Sequence, residues 1–517
     1  MNMDILSKET YKILTSDRLT YQQKLIQLAR QAENSLDVLK MPEKFLKYFE
    51  DGALCDMNEG NAPYRPRYVM VDFEKYMKQG SEFLNVTPPK TLDEAIFALI
   101  TLYCHVPSIT AMPVYIGDLD KLLDPFLDGL SDEEVKSKFK LFLNYIDRTI
   151  PDGYCHANLG PKALRATRLI LECEQELKNA VPNFTFKYDM KETSDEIMEQ
   201  AIVCALECAN PAIANHQAHK DTYNTGGSLQ GAGVTATDYG VSSCYNVLPL
   251  QGGSYILSRV VLPRLAKRAK SIEQFLNEIL PEALQGLAEY MDERIRFLVE
   301  ESGFFQSSFL VKEELIKREN FTGMFGVAGL CNGVNYLLRE SDKHYGKDPE
   351  ADDLAEKIMT IISDFVASYP AKYCEVSGGR YYLHAQAGLS TDEGVTSGVR
   401  IVVGEEPDSL YDHLRHSARF HKFFPTGCSD IFPFEATAKN NPSAILDIIK
   451  GAFSVGDKYI AVYQSDSDLV RITGYLVKRS DIDKYDSGEV VLQDTVQNGS
   501  VNYKLNRLAE RKVRSDV

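Results

Sequence analysis

Apolar positions along the chain switch repeatedly between a helical period and short strand-like runs. Near the start, Thr20 and Gln23 fit a capping box, followed by Leu25, Leu28, Ala29 and later Leu36 and Leu39. Asn61-Ala62-Pro63-Tyr64-Arg65-Pro66 breaks that pattern, and Tyr68–Phe73 reads as a strand. Helical periods predict helices over Thr91–Cys104, Asp132–Ile146 and Ser194–Ala209, the last closed by Asn210-Pro211. Ser271 and Gln274 cap an amphipathic helix that Pro281 is expected to interrupt, and a second helix then runs to Gly303. The small residues of Thr322–Gly333 predict close backbone packing ahead of a helix. Further along come a helix at Ile358–Tyr369, strand-like runs at Arg380–Ala385 and Gly398–Gly404 with a surface loop at Ser390–Ser397 between them, a helix at Asn441–Phe453 and a buried strand at Tyr459–Tyr463. The tail from Asp481 to Val517 is polar and predicts a peripheral strand or helix. Helices alternating with short apolar strands imply an α/β fold with a largely parallel sheet.

Composition narrows the class. The chain has 517 residues, 44% hydrophobic and 25% charged, an ordinary globular balance that needs no disulfide staples. Its ten cysteines are scattered without a Cys-x-x-Cys pair. Met1–Glu9 has no apolar signal core, and no run is long enough to span a bilayer. These features predict a cytoplasmic protein with reduced thiols. A net charge of −17 argues against a large basic surface for nucleic-acid polymers, while leaving room for a local pocket for a small anion.

Several local patterns invite chemistry and stop short of it. Cys155-His156 is a neighbouring thiol and imidazole, but adjacent side chains usually point apart. His216 and His219, with Cys204 and Cys208, complete no zinc-ligand spacing, and a loop facing a substrate cavity suits the histidines better. Thr225–Gly233 is glycine-rich but lacks the Gly-Lys-Ser/Thr of a phosphate loop. No metal or cofactor site is expected.

The most informative stretch follows the Tyr459–Tyr463 strand. On spacing alone Gly474 reads as a turn glycine supplying positive φ. Yet Arg471-Ile472-Thr473-Gly474-Tyr475 resembles the fingerprint of glycyl radical enzymes, Arg-Val-(Ser/Ala)-Gly-Tyr, in its usual place near the C-terminus. Loss of an α-hydrogen leaves a carbon radical delocalised into the flanking amide and carbonyl, and only glycine has no side chain to keep that carbon from becoming planar. Such a stored radical needs a mobile hydrogen carrier, and cysteine suits because its S–H bond is comparable in strength with the C–H bonds on either side. Cys244, mid-chain in a segment rich in Gly, Ser and Pro, fits this role. Cys428 and Cys331 are the competitors, and the ordinary state of any free cysteine is a small buried hydrophobe.

The resemblance covers most of the chain and is strongest to the YjjI family of glycyl radical enzymes. It is carried by Ser242-Ser243-Cys244-Tyr245-Asn246, by Phe424–Phe432 and by Ser465–Arg479. It implies a ten-stranded α/β barrel of two half-barrels with helices outside, the cysteine loop and the glycine loop meeting within. Residues 1–410 would carry the thiyl loop and 411–517 the glycyl radical. It also implies a separate radical S-adenosylmethionine activase bearing an iron–sulfur cluster, a small-molecule substrate and, commonly, a homodimer. Two departures narrow the chemistry. Cys244 is followed by Tyr245, not by the second cysteine of the pyruvate formate-lyase type. Asn246 stands where diol- and choline-type eliminases place a glutamate base, and an amide takes no proton. Gly474-Tyr475-Leu476 and Leu262–Ala266 also resemble anaerobic ribonucleotide reductases, but the paired Cys-x-x-Cys zinc module near the C-terminus is missing. Ribonucleotide reduction is thus the runner-up, and a non-catalytic metabolite-binding barrel the alternative of another class. His216, His384, Glu375 and Asn246 are expected near the suspected loops without assigned roles.

Overall fold

The computed structural model describes residues 3–33, 38–57, 62–109, 112–150, 152–223, 238–386, 394–402, 404–472 and 474–496. The glycine-rich stretch Thr225–Gly233 and the first half of the Ser390–Ser397 loop, residues 390–393, lie outside these residues.

Ten strands form two five-stranded sheets. In chain order the strands are β1 (Leu54–Cys55), β2 (Tyr68–Met70), β3 (His156–Leu159), β4 (Asn183–Tyr188), β5 (Ala212–Asn215), β6 (Tyr239–Ser242), β7 (Asn246–Pro249), β8 (Gly252–Val261), β9 (Phe321–Ala328), β10 (Tyr382–Ala385), β11 (Asp430–Phe434), β12 (Tyr459–Gln464), β13 (Leu469–Arg471) and β14 (Leu476–Lys478). One sheet runs β1-β8-β9-β10, with β2 also on β8; the other runs β11-β12-β5-β4-β3. The β8-β9-β10 and β3-β4-β5 pairings are parallel, as is β11 on β12, while β12 meets β5 antiparallel. Two more antiparallel pairs, β6–β7 and β13–β14, belong to neither sheet. The sheets are therefore mixed, and the expected two half-barrels correspond to five strands each.

The strands are buried on both faces, as helix-covered parallel sheets require. On β4, Phe184, Phe186 and Tyr188 alternate with Asn183, Thr185 and Lys187, and all six are buried. On β3, Ala157 and Leu159 alternate with His156 and Asn158. A period of two thus puts an apolar row on one side and a polar row on the other. The polar rows matter below, because His156, Asn158 and Lys187 find partners on the β6–β7 hairpin.

Helix boundaries follow the local chemistry. The Thr20–Gln23 box forms, with Thr20 N donating to Gln23 Oε1 at 2.8 Å and Gln23 N to Thr20 Oγ1 at 3.1 Å. The expected break at Pro281 does not occur. Helical backbone continues from Ile272 to Glu301, with wide π turns at Phe275–Ile279 and Phe297–Glu301. The first π turn directs Leu280 N–H to Phe275 O, and this wider turn accommodates a ring that would clash in regular α geometry. Gly398–Gly404 is no strand among its described residues: Gly398 N bonds Gln386 O, Gly398 O accepts from Leu330 N, and Arg400 N turns back to Ser397 O. The aromatic and histidine-rich Tyr411–Phe424 stretch, for which no element was predicted, lies largely in a helix, Leu410–His421.

Asp120 is a buried carboxyl that ties this frame together. Its Oδ2 accepts from Gly160 N at 2.8 Å and from Thr167 Oγ1 at 2.7 Å, joining the end of β3 to the helix Arg165–Leu177. Burial outweighs these bonds and raises its pKa to about 7 from 3.8. The folded state therefore holds a proton that the unfolded chain releases at lower pH, so this group costs stability as pH rises from about 4 to 7. Comparing melts of Asp120→Asn and wild type across that window should show the variant gaining relative stability as pH rises, by at most about 4 kcal/mol. A constant difference across the window would refute the assignment.

Candidate active site

The site forms where the tips of the two free hairpins meet. Cys244 sits in the three-residue turn between β6 and β7, after Ser243 at φ 57. Gly474 sits in the turn between β13 and β14, where Ile472 N bonds Tyr475 O at 3.0 Å. A Cβ placed on Gly474 would lie 2.2 Å from Cys244 Cα and 2.2 Å from Cys244 Cβ. Real Cβ atoms do not approach so closely, so glycine is required there by the cysteine. Gly474 does not occupy the left-handed region. The turn-glycine expectation is thereby corrected: the close approach, and not positive φ, demands this residue.

Arg471 holds the glycine turn from below. Its guanidinium donates from Nη1 to Gly474 O at 3.2 Å and from Nε to Ala209 O at 3.2 Å. Ala209 ends the helix Asp195–Cys208 in left-handed geometry, which turns its carbonyl toward the arginine. Burial lowers the pKa of Arg471, although a guanidinium remains charged.

Tyrosines ring the thiol. Tyr154 packs on Tyr475 with centroids 5.1 Å apart, and Tyr245 lies 6.0 Å from Tyr459 and 5.5 Å from His384. The Tyr68 hydroxyl is in hydrogen-bond reach of Ser243 and Arg67, and burial, opposed by the Arg67 charge, raises its pKa. A glycine also lets the neighbouring segment close in: Gly427, at φ +124, would put a Cβ 2.1 Å from Tyr245 O.

The other candidate residues have separate places. Cys428 is buried beside Asp430 and Arg400, and burial pushes its thiol well up. Cys331 lies in the helix Leu330–Leu337, its pKa raised to about 12 by burial. Neither lies at the contact a Cβ on Gly474 would make. His384 bonds Thr426 O through Nδ1 at 2.9 Å, and burial lowers its pKa to about 3, so it is neutral. His216 meets the Tyr239 hydroxyl at 3.0 Å, at the base of the Cys244 hairpin. Asn246 begins β7 and is buried. Glu375 pairs with Arg318 at 2.7 Å on a 3₁₀ turn. Cys204 and Cys208 donate to Leu171 O and Glu174 O in the helix layer. No cluster of three or more His, Cys, Asp or Glu able to hold a metal occurs among the described residues, nor is any helix there long and apolar enough to cross a membrane.

Sequence reading passed over the tyrosines and weighed His156 only as a neighbour of Cys155. The signal available was the alternation on β3 and β4, whose polar rows are too regular to be chance exposure on strands buried throughout. Gly474→Ala should force the hairpins apart, destabilising the fold on the order of 1–3 kcal/mol and speeding amide exchange in β6–β7 and β13–β14. Gly451→Ala, on a helix with open space around it, should leave both hairpins protected. Equal exchange in the two variants would contradict the contact.

Comparisons with known proteins place the chain in a family and a fold. The family profile described as "Glycyl radical enzyme YjjI-like" matches residues 19–514. A protein of Haemophilus influenzae is 43% identical over 509 residues, spanning 97% of this chain and 96% of its own length. The YjjI protein of Escherichia coli K12 is 40% identical over 511 residues, spanning 98% and 96%. Among solved structures, an anaerobic ribonucleotide reductase from Thermotoga maritima superposes with a TM-score of 0.70 at 14% identity, covering 93% of this chain and 94% of that one. A Roseburia inulinivorans structure concerned with 1,2-propanediol dehydration gives 0.68 at 10% identity, covering 97% and 88%. These two likenesses establish the shared fold. A matching family profile over nearly the whole chain and relatives at 40% identity or more show that the chain belongs to the YjjI-like glycyl radical enzyme family.

Proposed function

We propose that Gly474 stores the organic radical and Cys244 carries it to substrate. The observation that supports this is the contact itself: the glycine Cα and the cysteine lie so close that no side chain fits between them. In the first step the Cys244 S–H bond breaks homolytically and its hydrogen forms a C–H bond on the Gly474 radical carbon, leaving a thiyl radical. The thiyl then takes a hydrogen atom from a C–H bond of a small polar substrate and becomes S–H again. After the substrate radical rearranges, eliminates or fragments, the product radical recovers that hydrogen, and Gly474 gives its hydrogen back to the thiyl. Each step exchanges one bond for another of comparable strength, so the relay is reversible and needs no net oxidant.

The initial radical comes from outside this relay. A separate radical S-adenosylmethionine activase removes the first hydrogen from Gly474. Gly474 is buried, so the β13–β14 hairpin has to become accessible to that partner. Buried surroundings also shield the stored radical from bulk water. The reaction on substrate differs from acid–base elimination by a cysteine-proximal glutamate, because Asn246 supplies no base.

Electron paramagnetic resonance on protein activated anaerobically with its activase tests this reading. The expected result is a carbon-centred doublet that disappears in air, with backbone scission at Gly474 detected by mass spectrometry. Cys244→Ser should keep the doublet and lose substrate turnover entirely. Substantial turnover in that variant, or an intact chain after a competent activase has acted, would overturn the proposal.

A further inference from the structure

The backbone of the Cys244 hairpin is gripped by the polar rows of β3 and β4. Asn158 accepts from Val241 N at 2.8 Å and donates to Val241 O at 2.8 Å, as another strand would. Lys187 Nζ donates to Tyr239 O at 2.9 Å and pairs with Asp118 at 3.0 Å. Nearer the tip, Ser243 N donates to Val114 O at 3.1 Å. At the tip, His156 and Tyr459 reach the two carbonyls that bracket the thiol, and Thr185 links them. His156 Nδ1 lies 3.1 Å from Ser243 O, and its Nε2 lies 2.7 Å from Thr185 Oγ1. Thr185 Oγ1 is 2.8 Å from the Tyr459 hydroxyl, which lies 3.4 Å from Cys244 O.

The donors in this chain are fixed by elimination. A carbonyl only accepts, so His156 carries its proton on Nδ1. Burial keeps the ring neutral, which leaves Nε2 as an acceptor for the Thr185 hydroxyl. Thr185 has spent its one proton, so its oxygen accepts from Tyr459. The longer approach of Tyr459 to Cys244 O is then a second branch of the same donor. Every atom of this buried chain has a defined role, and the proton direction runs one way from Tyr459 to Ser243 O.

We propose that His156, with Thr185 and Tyr459, is a positioning relay that holds the carbonyls on either side of Cys244 and so keeps its thiol in hydrogen-transfer reach of Gly474. This rests on the radical-relay reading given above. The three residues come from β3, β4 and β12, so the tip is referenced to the sheet next to which β13–β14 departs. The thiol and the glycine are consequently located from a common frame. Their hydrogen bonds go to backbone carbonyls and to one another, so all three are positioning residues. Their effect is on distance, and a misplacement of about 1 Å in a reacting pair costs on the order of 100-fold in rate.

Deuterium exchange into the radical measures this without knowledge of the substrate. The thiol proton exchanges with solvent; transfer of S–D to the glycyl carbon, followed by return of the other hydrogen, places deuterium on Gly474 Cα. The doublet of the activated full-length protein then collapses in deuterium oxide at a rate set by Cys244–Gly474 transfer. Wild type should collapse, and Cys244→Ser should not. His156→Phe and the near-isosteric Thr185→Val should keep the radical but collapse at least about tenfold more slowly. His156→Asn, which retains a donor near the Nδ1 position, should recover most of the rate. A merely structural role would lower melting temperature without this ordering of rates. Wild-type collapse rates in both His156→Phe and Thr185→Val would overturn the relay while leaving the radical assignment intact; the isosteric Thr185→Val alone decides if His156→Phe fails to fold. Absence of any radical in activated wild type would instead refute the underlying reading.

Discussion

The rest of the molecule depends on one close approach, backbone carbon against thiol-bearing residue, at the tips of two hairpins that no sheet contains. Hydrogen-atom transfer is short-ranged, so the proposed relay requires its partners to touch. A side chain on Gly474 would remove that contact. Two isolated two-stranded hairpins are marginal structures by themselves. Here each is stabilised by what surrounds it. The cysteine hairpin lies against β3 on one side and β8 and β9 on the other, while Arg471 fastens the glycine turn to the end of a helix. The two sheets thus act as a mould, and the hairpins are the parts held in register.

Polar side chains inside a barrel are costly unless bonded. This protein meets that cost by making them the hairpin's partners. Asn158, Lys187 and His156 each engage hairpin backbone that would otherwise be buried without a sheet neighbour. On the proposed positioning relay, satisfaction of the backbone and alignment of the thiol are the same set of bonds. Neutral groups dominate near the tip: His156 and His384 are held uncharged by burial, and the surrounding phenols are pushed toward their protonated forms. A site of this kind offers hydrogen atoms and hydrogen bonds more readily than protons. That character matches radical chemistry better than the general acid–base catalysis of a hydrolase.

Much of this was legible from residue order. Alternating helical and strand periods implied α/β architecture, and the Thr20–Gln23 box formed as read. Arg471-Ile472-Thr473-Gly474-Tyr475 singled out the glycine because its chemistry needs that residue type, and similar local segments marked Cys244. Local reasoning failed where a distant partner controlled the outcome. Pro281 was absorbed by a π turn within a helix packed along its length, and Gly398–Gly404 exchanged strand geometry for bonds to Gln386 and Leu330. The Cys155-His156 pair was rightly discounted, but not the part its imidazole plays: Cys155 precedes β3 and is buried, while His156 begins the strand and meets the hairpin.

By itself the sequence marked the residues proposed to do the chemistry, since a planar backbone radical requires glycine and a reversible hydrogen carrier requires a thiol. It also determined the period-two faces of β3 and β4, because side-chain direction in a strand follows from covalent geometry. Tertiary structure alone decided that Gly474 and Cys244 touch, that Cys428 and Cys331 do not share their contact, and that His156, Thr185 and Tyr459 converge on one turn. These are relations between segments far apart in the chain. They exist only once two sheets, stabilised by the burial of apolar faces that carry no functional signal, bring the polar faces and the hairpins to the same place.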